Sequence, residues 1–183
     1  MNLPNKLTLL RVFLVPVFLV FLLIPSIPHR FLLALVVFAL ASITEALDGH
    51  IARSQNLITN FGKFLDPLAD KVLVMAALVG FVELCFAGSV PVIIILAREF
   101  MVSGLRLVTA GEGVVVAAGI WGKLKTAFTM VAIIAILLMA EFAIGWAYRE
   151  IVSAVLIWIS AVLTIISGGV YLKGYASYID PTK

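Results

Sequence analysis

Apolar residues fall along this chain in long unbroken blocks, and polar residues collect in the short intervals between them. A helix that crosses the hydrocarbon core of a bilayer needs about 20 largely apolar residues. Six blocks meet that requirement, at residues 7–24, 31–47, 71–86, 90–108, 123–142 and 151–171. Turn-forming residues break them at Pro25-Ser26-Ile27-Pro28, Ala87-Gly88-Ser89 and Gly111-Glu112-Gly113. The pattern predicts an all-α integral membrane protein, a bundle of six transmembrane helices. With no internal repeat or low-complexity linker, residues 1–183 read as a single domain. The first block has the length of a signal peptide. Arg11 within it, the lack of a small-residue cleavage site and the five later blocks argue against that.

Composition agrees. Hydrophobic residues make up 63% of the chain and charged residues 13%, with mean hydropathy +1.20, whereas soluble domains average about 45–50% apolar and 25% charged. This excludes a disordered chain, a secreted disulfide scaffold and a soluble nucleic-acid binder. The isoelectric point near 9.2 reflects 13 Lys and Arg against 10 Asp and Glu, too small an excess to indicate nucleic acid as a partner. The single cysteine, Cys85, cannot form an internal bridge and reads as packing within an apolar run. Six crossings put both termini on one side. Ten of the 13 basic residues fall on that side, Arg30 and Arg149 on the other, and Arg98 inside the fourth block. The positive-inside rule then places both termini in the cytoplasm.

The scarce acids are not scattered. Four of the ten, Glu45, Asp48, Asp66 and Asp70, lie within 26 residues that join the second and third blocks. Ionised groups beside membrane spans are expensive and mark function. If the second helix continues to Arg53, its turn of about 100° per residue puts Glu45, Asp48, Gly49 and Ala52 on one face. Two carboxylates then stand beside two residues with almost no side chain, a face suited to a metal and to close approach of a bulky ligand. Asp66 and Asp70 are i, i+4 neighbours, with Gly62 one turn earlier. Converging carboxylates repel unless cations are present. Oxygen-only donors favour Mg²⁺ or Mn²⁺, and two such ions suit a diphosphate. No zinc-type Cys/His set and no Gly-rich phosphate loop ending in Lys-Ser/Thr occurs, and His29 and His50 take no assigned role.

Plainer readings exist. Asp66 before Pro67 has the form of a helix N-cap with proline at the first helical position. Asp48-Gly49 has the form of a turn, and Asp70-Lys71 that of a screened interfacial pair. None of them accounts for four acids, two glycines and an Ala-Arg pair in this order.

The order from Glu45 to Asp70 resembles the signature of the CDP-alcohol phosphotransferase family, Asp-x2-Asp-Gly-x2-Ala-Arg-x8-Gly-x3-Asp-x3-Asp, with every spacing kept. One position departs: the first acid is Glu45, whose extra methylene shifts the carboxylate by about 1.5 Å. The resemblance covers nearly the whole chain. It narrows to the phosphatidylglycerophosphate synthase branch through Pro4-Asn5, Thr8 and Arg11, through Ala97-Arg98-Glu99 with Ser103-Gly104-Leu105-Arg106, and through Gly122-Lys123-Leu124-Lys125-Thr126. It implies transfer of the phosphatidyl group of CDP-diacylglycerol to sn-glycerol 3-phosphate with release of CMP, and a homodimer. It implies metal ligands at Glu45, Asp48, Asp66 and Asp70, with Asp66 and Asp70 catalytic and Asp70 the base. CDP-diacylglycerol would be bound by Asn5, Thr8, Gly49, Ala52, Arg53 and Gly62.

A second polar set suits the acceptor. In the fourth block Glu99, Ser103 and Arg106 follow at i, i+4 and i+7, with Arg98 projecting about 100° away. Arg106, Lys123 and Lys125 lie near the cytoplasmic end and suit an anionic phosphate. Together with Arg98 and Ser103 they are the candidate glycerol 3-phosphate residues. The plainer readings are a buried Arg98–Glu99 staple between helices and snorkelling lysines. The expected site therefore faces the cytoplasm from a multi-pass protein of the cell membrane. Rival functions are a related synthase with another alcohol acceptor, a divalent-metal transporter, and a structural membrane scaffold that leaves the acids without purpose.

Overall fold

A computed structural model describes residues 3–54, 60–111 and 119–175, with side chains for 8–44, 71–109, 119–145 and 147–175. The described residues form six long helices: α1 (Leu3–Leu23), α2 (Arg30–Ser54), α3 (Asn60–Glu83), α4 (Ser89–Gly111), α5 (Ile120–Glu141) and α6 (Arg149–Tyr175). A short 3₁₀ turn, Trp146–Tyr148, precedes α6. Helix α1 packs on α2 and α3, while α6 packs on α4 and α5. Contacts of α2 with α5 and of α3 with α4 join these two groups. The α5 and α6 helices are each long and apolar enough to cross a membrane.

The helices outrun the apolar blocks. Helix α2 continues seven residues past Leu47, and α3 begins eleven residues before Lys71 and stops at Glu83, short of Phe86. Apolarity marks only the stretch that faces lipid or core, whereas backbone hydrogen bonding carries a helix on into polar sequence. Helix α3 therefore runs through Asp66 and Pro67, and α2 through Asp48 and Gly49. A helix carries each pair, not an N-cap or a turn.

The end of α3 corrects the reading of Cys85. The Phe86 N–H bonds the Phe81 carbonyl at 2.8 Å and the Cys85 N–H bonds that of Val82 at 3.1 Å. The rings of Phe81 and Phe86 pack 6.0 Å apart. This is a Schellman stop with its apolar contact, and it requires a left-handed residue at the position Cys85 occupies. Cys85 adopts φ 59° there and is exposed, not packed.

The interior divides by level. The large apolar core is built from residues such as Phe18, Leu22, Phe38, Phe81, Ile136 and Ile157, all fully buried. It fills the half of the bundle that holds the α1–α2, α3–α4 and α5–α6 turns. Charge is buried in the opposite half, at Arg11, Arg98 and Lys125. Large apolar side chains meanwhile cover the outside, with Phe13 69% and Ile165 55% exposed. Buried cations under an apolar surface invert the arrangement of a soluble protein and match a chain solvated by lipid. Several buried hydroxyls bond within their own helices: Thr164 donates to the Ser160 carbonyl at 2.7 Å and Thr129 to that of Lys125 at 2.8 Å, which satisfies them without water. At the far end, Glu141 receives His29 Nδ1 at 2.6 Å and the Leu32 N–H at 3.2 Å, tying the end of α5 to the start of α2.

Candidate functional site

Helical geometry puts Glu45, Asp48, Gly49 and Ala52 on one face of α2, and Asp66 and Asp70 one turn apart on α3. The side chains of these residues, and of Asn5, Arg53 and Gly62, lie outside the described residues. Their level in the bundle follows from α1. Phe18 and Phe38 pack with ring centroids 6.0 Å apart; seven residues back along α1 stands Arg11, and seven onward along α2 stands position 45. A Cβ on Gly80 would lie 2.5 Å from Leu22 Cδ2, so α1 and α3 touch at that level. Eleven residues back from each are Arg11 and position 69. Arg11, only 2% exposed, thus stands level with both acid-bearing segments, beside fully buried Thr8. A guanidinium this deep persists only where its charge is balanced.

The second polar set meets in space. A cavity of about 450 Å³ is lined by Lys71, Arg98, Glu99, Arg106, Lys123 and Lys125, with Gly122, Thr126 and Tyr171. Helices α3, α4, α5 and α6 all contribute, and among the described residues five cations face one carboxylate. A narrower pocket of about 90 Å³ adjoins it, sharing Lys71, Glu99 and Lys125 but walled by Val74, Met75, Leu78, Ile95 and Leu96. The charged chamber therefore continues into an apolar slot.

Its members are held differently. Glu99 on α4 pairs with Lys125 on α5 and accepts from Arg98 Nη1 at 3.0 Å. Arg98 also donates through Nη2 to Ser167 Oγ on α6 at 2.7 Å. The Arg98–Glu99 staple is thus real, and it links three helices while Arg98 still lines the chamber. Ser103 donates to the Glu99 carbonyl at 2.5 Å and receives a hydrogen bond from Lys71. Arg106 and Lys123 are exposed into the chamber, and among the described residues neither has an acidic partner.

All five predicted acceptor residues thus gather around one chamber, with Ser103 reaching it through Lys71. Sequence reasoning missed Lys71 and Tyr171 as members. Lys71 follows Asp70 and read as its screen. Tyr171 closes an apolar block, where an aromatic residue reads as an interfacial anchor. Neither carries a local signal, because their partners lie on other helices.

Four carboxylates without thiol or imidazole are a donor set that fits hard divalent ions, and the helical backbone of α2 and α3 keeps each pair on one face. The residues present fit such a group.

Comparison with known proteins identifies relatives along nearly the whole chain. The chain is 43% identical over 185 residues to a Bacillus subtilis protein named CDP-diacylglycerol–glycerol-3-phosphate 3-phosphatidyltransferase, covering 94% of each chain. A Rickettsia typhi protein of the same name is 43% identical over 97% of this chain and 98% of its own. A Mycobacterium tuberculosis protein named probable phosphatidylglycerophosphate synthase is 40% identical over 93% of this chain and 80% of its own. Residues 1–166 match the CDP-alcohol phosphatidyltransferase family, and the chain belongs to it.

Proposed function

We propose that this protein is a phosphatidylglycerophosphate synthase: it transfers the phosphatidyl group of CDP-diacylglycerol to sn-glycerol 3-phosphate and releases CMP. The observation that carries the reading is the chamber that, among the described residues, gathers five cations and one carboxylate, at the end of the bundle that α2 and α3 furnish with four acids. Net positive charge there suits an acceptor that itself carries phosphate and disfavours a neutral alcohol. Homologues so named, aligned over nearly their whole lengths, support the same substrates.

Glu45, Asp48, Asp66 and Asp70 would hold two divalent ions, Mg²⁺ or Mn²⁺. When bound, such ions neutralise the diphosphate and make its phosphorus more electrophilic. Gly49, Ala52 and Gly62 leave room for the nucleotide, with Asn5 and Thr8 along its edge and Arg53 against the diphosphate. Arg106, Lys123 and Lys125 receive the acceptor phosphate, and Arg98 and Ser103 support them. The hydroxyl on carbon 1 of glycerol 3-phosphate then attacks the phosphorus that bears diacylglycerol. Asp70 takes the hydroxyl proton through a carboxylate oxygen. The bond from that phosphorus to the CMP oxygen breaks, leaving phosphatidylglycerophosphate. Diacyl chains stay in lipid, in keeping with the apolar slot beside the chamber.

The six helices are read as six spans of one domain in the cell membrane, with both termini and the site at the cytoplasmic face and two copies forming a homodimer. The defining experiment measures CMP release by purified protein with and without glycerol 3-phosphate and divalent ion. Both should be required, and other alcohols should not substitute. Asp66→Asn and Asp70→Asn should each abolish release in folded protein; robust turnover by either overturns the assignment. Metal flux in liposomes without loss of CDP-lipid would instead indicate a transporter.

A further inference from the structure

We propose that Tyr171 is the positioning residue of the acceptor-phosphate site, holding Arg98, Arg106 and the start of α5 in one fixed arrangement. This rests on the reading that Arg106, Lys123 and Lys125 receive the acceptor phosphate. Tyr171 lies in the last turns of α6 and is 6% exposed. Its ring carries two guanidinium groups, Arg98 at 5.3 Å and Arg106 at 5.9 Å from the centroid. Both lie within the roughly 6 Å over which a cation is drawn to an aromatic face. Two like charges at one ring repel, so an anion between them is welcome.

Arg98 is held independently of the ring, and Arg106 is not. Arg98 has a seat built for it on α6: Ser167 accepts its Nη2, and a Cβ on Gly168 would come within 3.1 Å of Arg98 Cγ. A bulkier residue at 168 would lift the guanidinium off the ring. Arg106 points into the chamber, with Nη2 at 3.5 Å from the Tyr171 hydroxyl, a long contact that orients more than it binds.

The same hydroxyl has a stronger bond. It accepts the N–H of Gly119 at 3.0 Å. Gly119 is the N-cap of α5 and has no side-chain cap, so Tyr171 supplies from another helix a partner for one of the donors left open there. Gly119 lies four residues before Lys123 and six before Lys125, so pinning it fixes where both lysines emerge. Gly122 makes the approach possible, because a Cβ there would stand 3.3 Å from the Tyr171 oxygen. One side chain thus ties the arginines of α4 to the lysines of α5. Lys125 is already paired with Glu99, but a flexible Arg106 and Lys123 would otherwise have to be ordered by the substrate itself, which weakens binding.

The test compares Tyr171→Phe, Tyr171→Leu and Arg106→Gln, reading KM and kcat for each substrate. Tyr171→Phe keeps the ring and loses the hydroxyl, and should raise KM for glycerol 3-phosphate about fivefold, the worth of one hydrogen bond. Tyr171→Leu loses the ring as well and should raise it further. In both, kcat and the KM for CDP-diacylglycerol should stay within about twofold, a split that general loosening of the fold does not produce. Tyr171→Phe alone suffices if the leucine variant does not fold. If Arg106→Gln raises KM for the acceptor and Tyr171→Phe does not, the positioning role is overturned. Parallel changes in both KM values overturn it too, as a merely structural effect. If Arg106→Gln leaves the acceptor KM unchanged, the acceptor-site reading falls first and this role with it.

Discussion

At position 45 the chain carries a carboxylate one methylene longer than the aspartate of the family signature. Mg²⁺ demands near-ideal octahedral geometry, so if Glu45 serves as the proposed ligand, its displacement by about 1.5 Å should weaken binding more than it alters the chemistry. Glu45→Asp is therefore expected to lower the Mg²⁺ concentration for half-maximal CMP release several-fold; an unchanged metal titration would show that the backbone already absorbs the difference. Glu99 offers a second test. Among the described residues it is the one acid lining the chamber, and it neutralises Lys125 while accepting from Arg98. Removing one partner of a buried ion pair strands the other charge, at about 3 kcal/mol or more. Glu99→Gln should thus depress thermal stability in detergent, and adding Lys125→Met should restore part of it. The stripe Glu99, Ser103, Arg106 was legible from helical spacing. That Glu99 reaches α5 while Arg98 reaches α6 was not, since spacing gives directions around one helix and not its neighbours.

Among the elements, α3 shows how far an apolar pattern can be trusted. Its buried face, Leu73, Ala77, Leu78 and Phe81, lay within the block read at 71–86, but both ends were displaced. The early start was hidden by polar residues between Asn60 and Asp70, and the early stop by a Schellman motif with cysteine where glycine is usual. A left-handed L-residue costs about 1–2 kcal/mol, so Cys85→Gly should raise the melting temperature with CMP release unchanged. A lower melting temperature would mean that Cys85 makes contacts worth more than the strain.

At the scale of the whole molecule, Cys85 reports on orientation. The single thiol is exposed in the α3–α4 turn, at the end of the bundle opposite the charged chamber. With the chamber facing the cytoplasm, a membrane-impermeant maleimide should label Cys85 in cells whose outer surface is accessible but whose cell membrane is intact. Labelling only after that membrane is permeabilised would reverse the topology. The distribution of 13 cations already predicts this orientation, because it depends on counting residues along the chain. The same holds for the apolar blocks and for the acids recurring on single helix faces, which follow from covalent spacing and the helical period and need no knowledge of packing. What only the folded bundle decided is which helices share the chamber. Lys71 meets Ser103 across 32 residues, Arg98 meets Ser167 across 69, and Gly119 meets Tyr171 across 52. Contacts at such separations arise from how whole helices pack, and in an apolar chain many packings satisfy the same pattern, so no local signal selects among them.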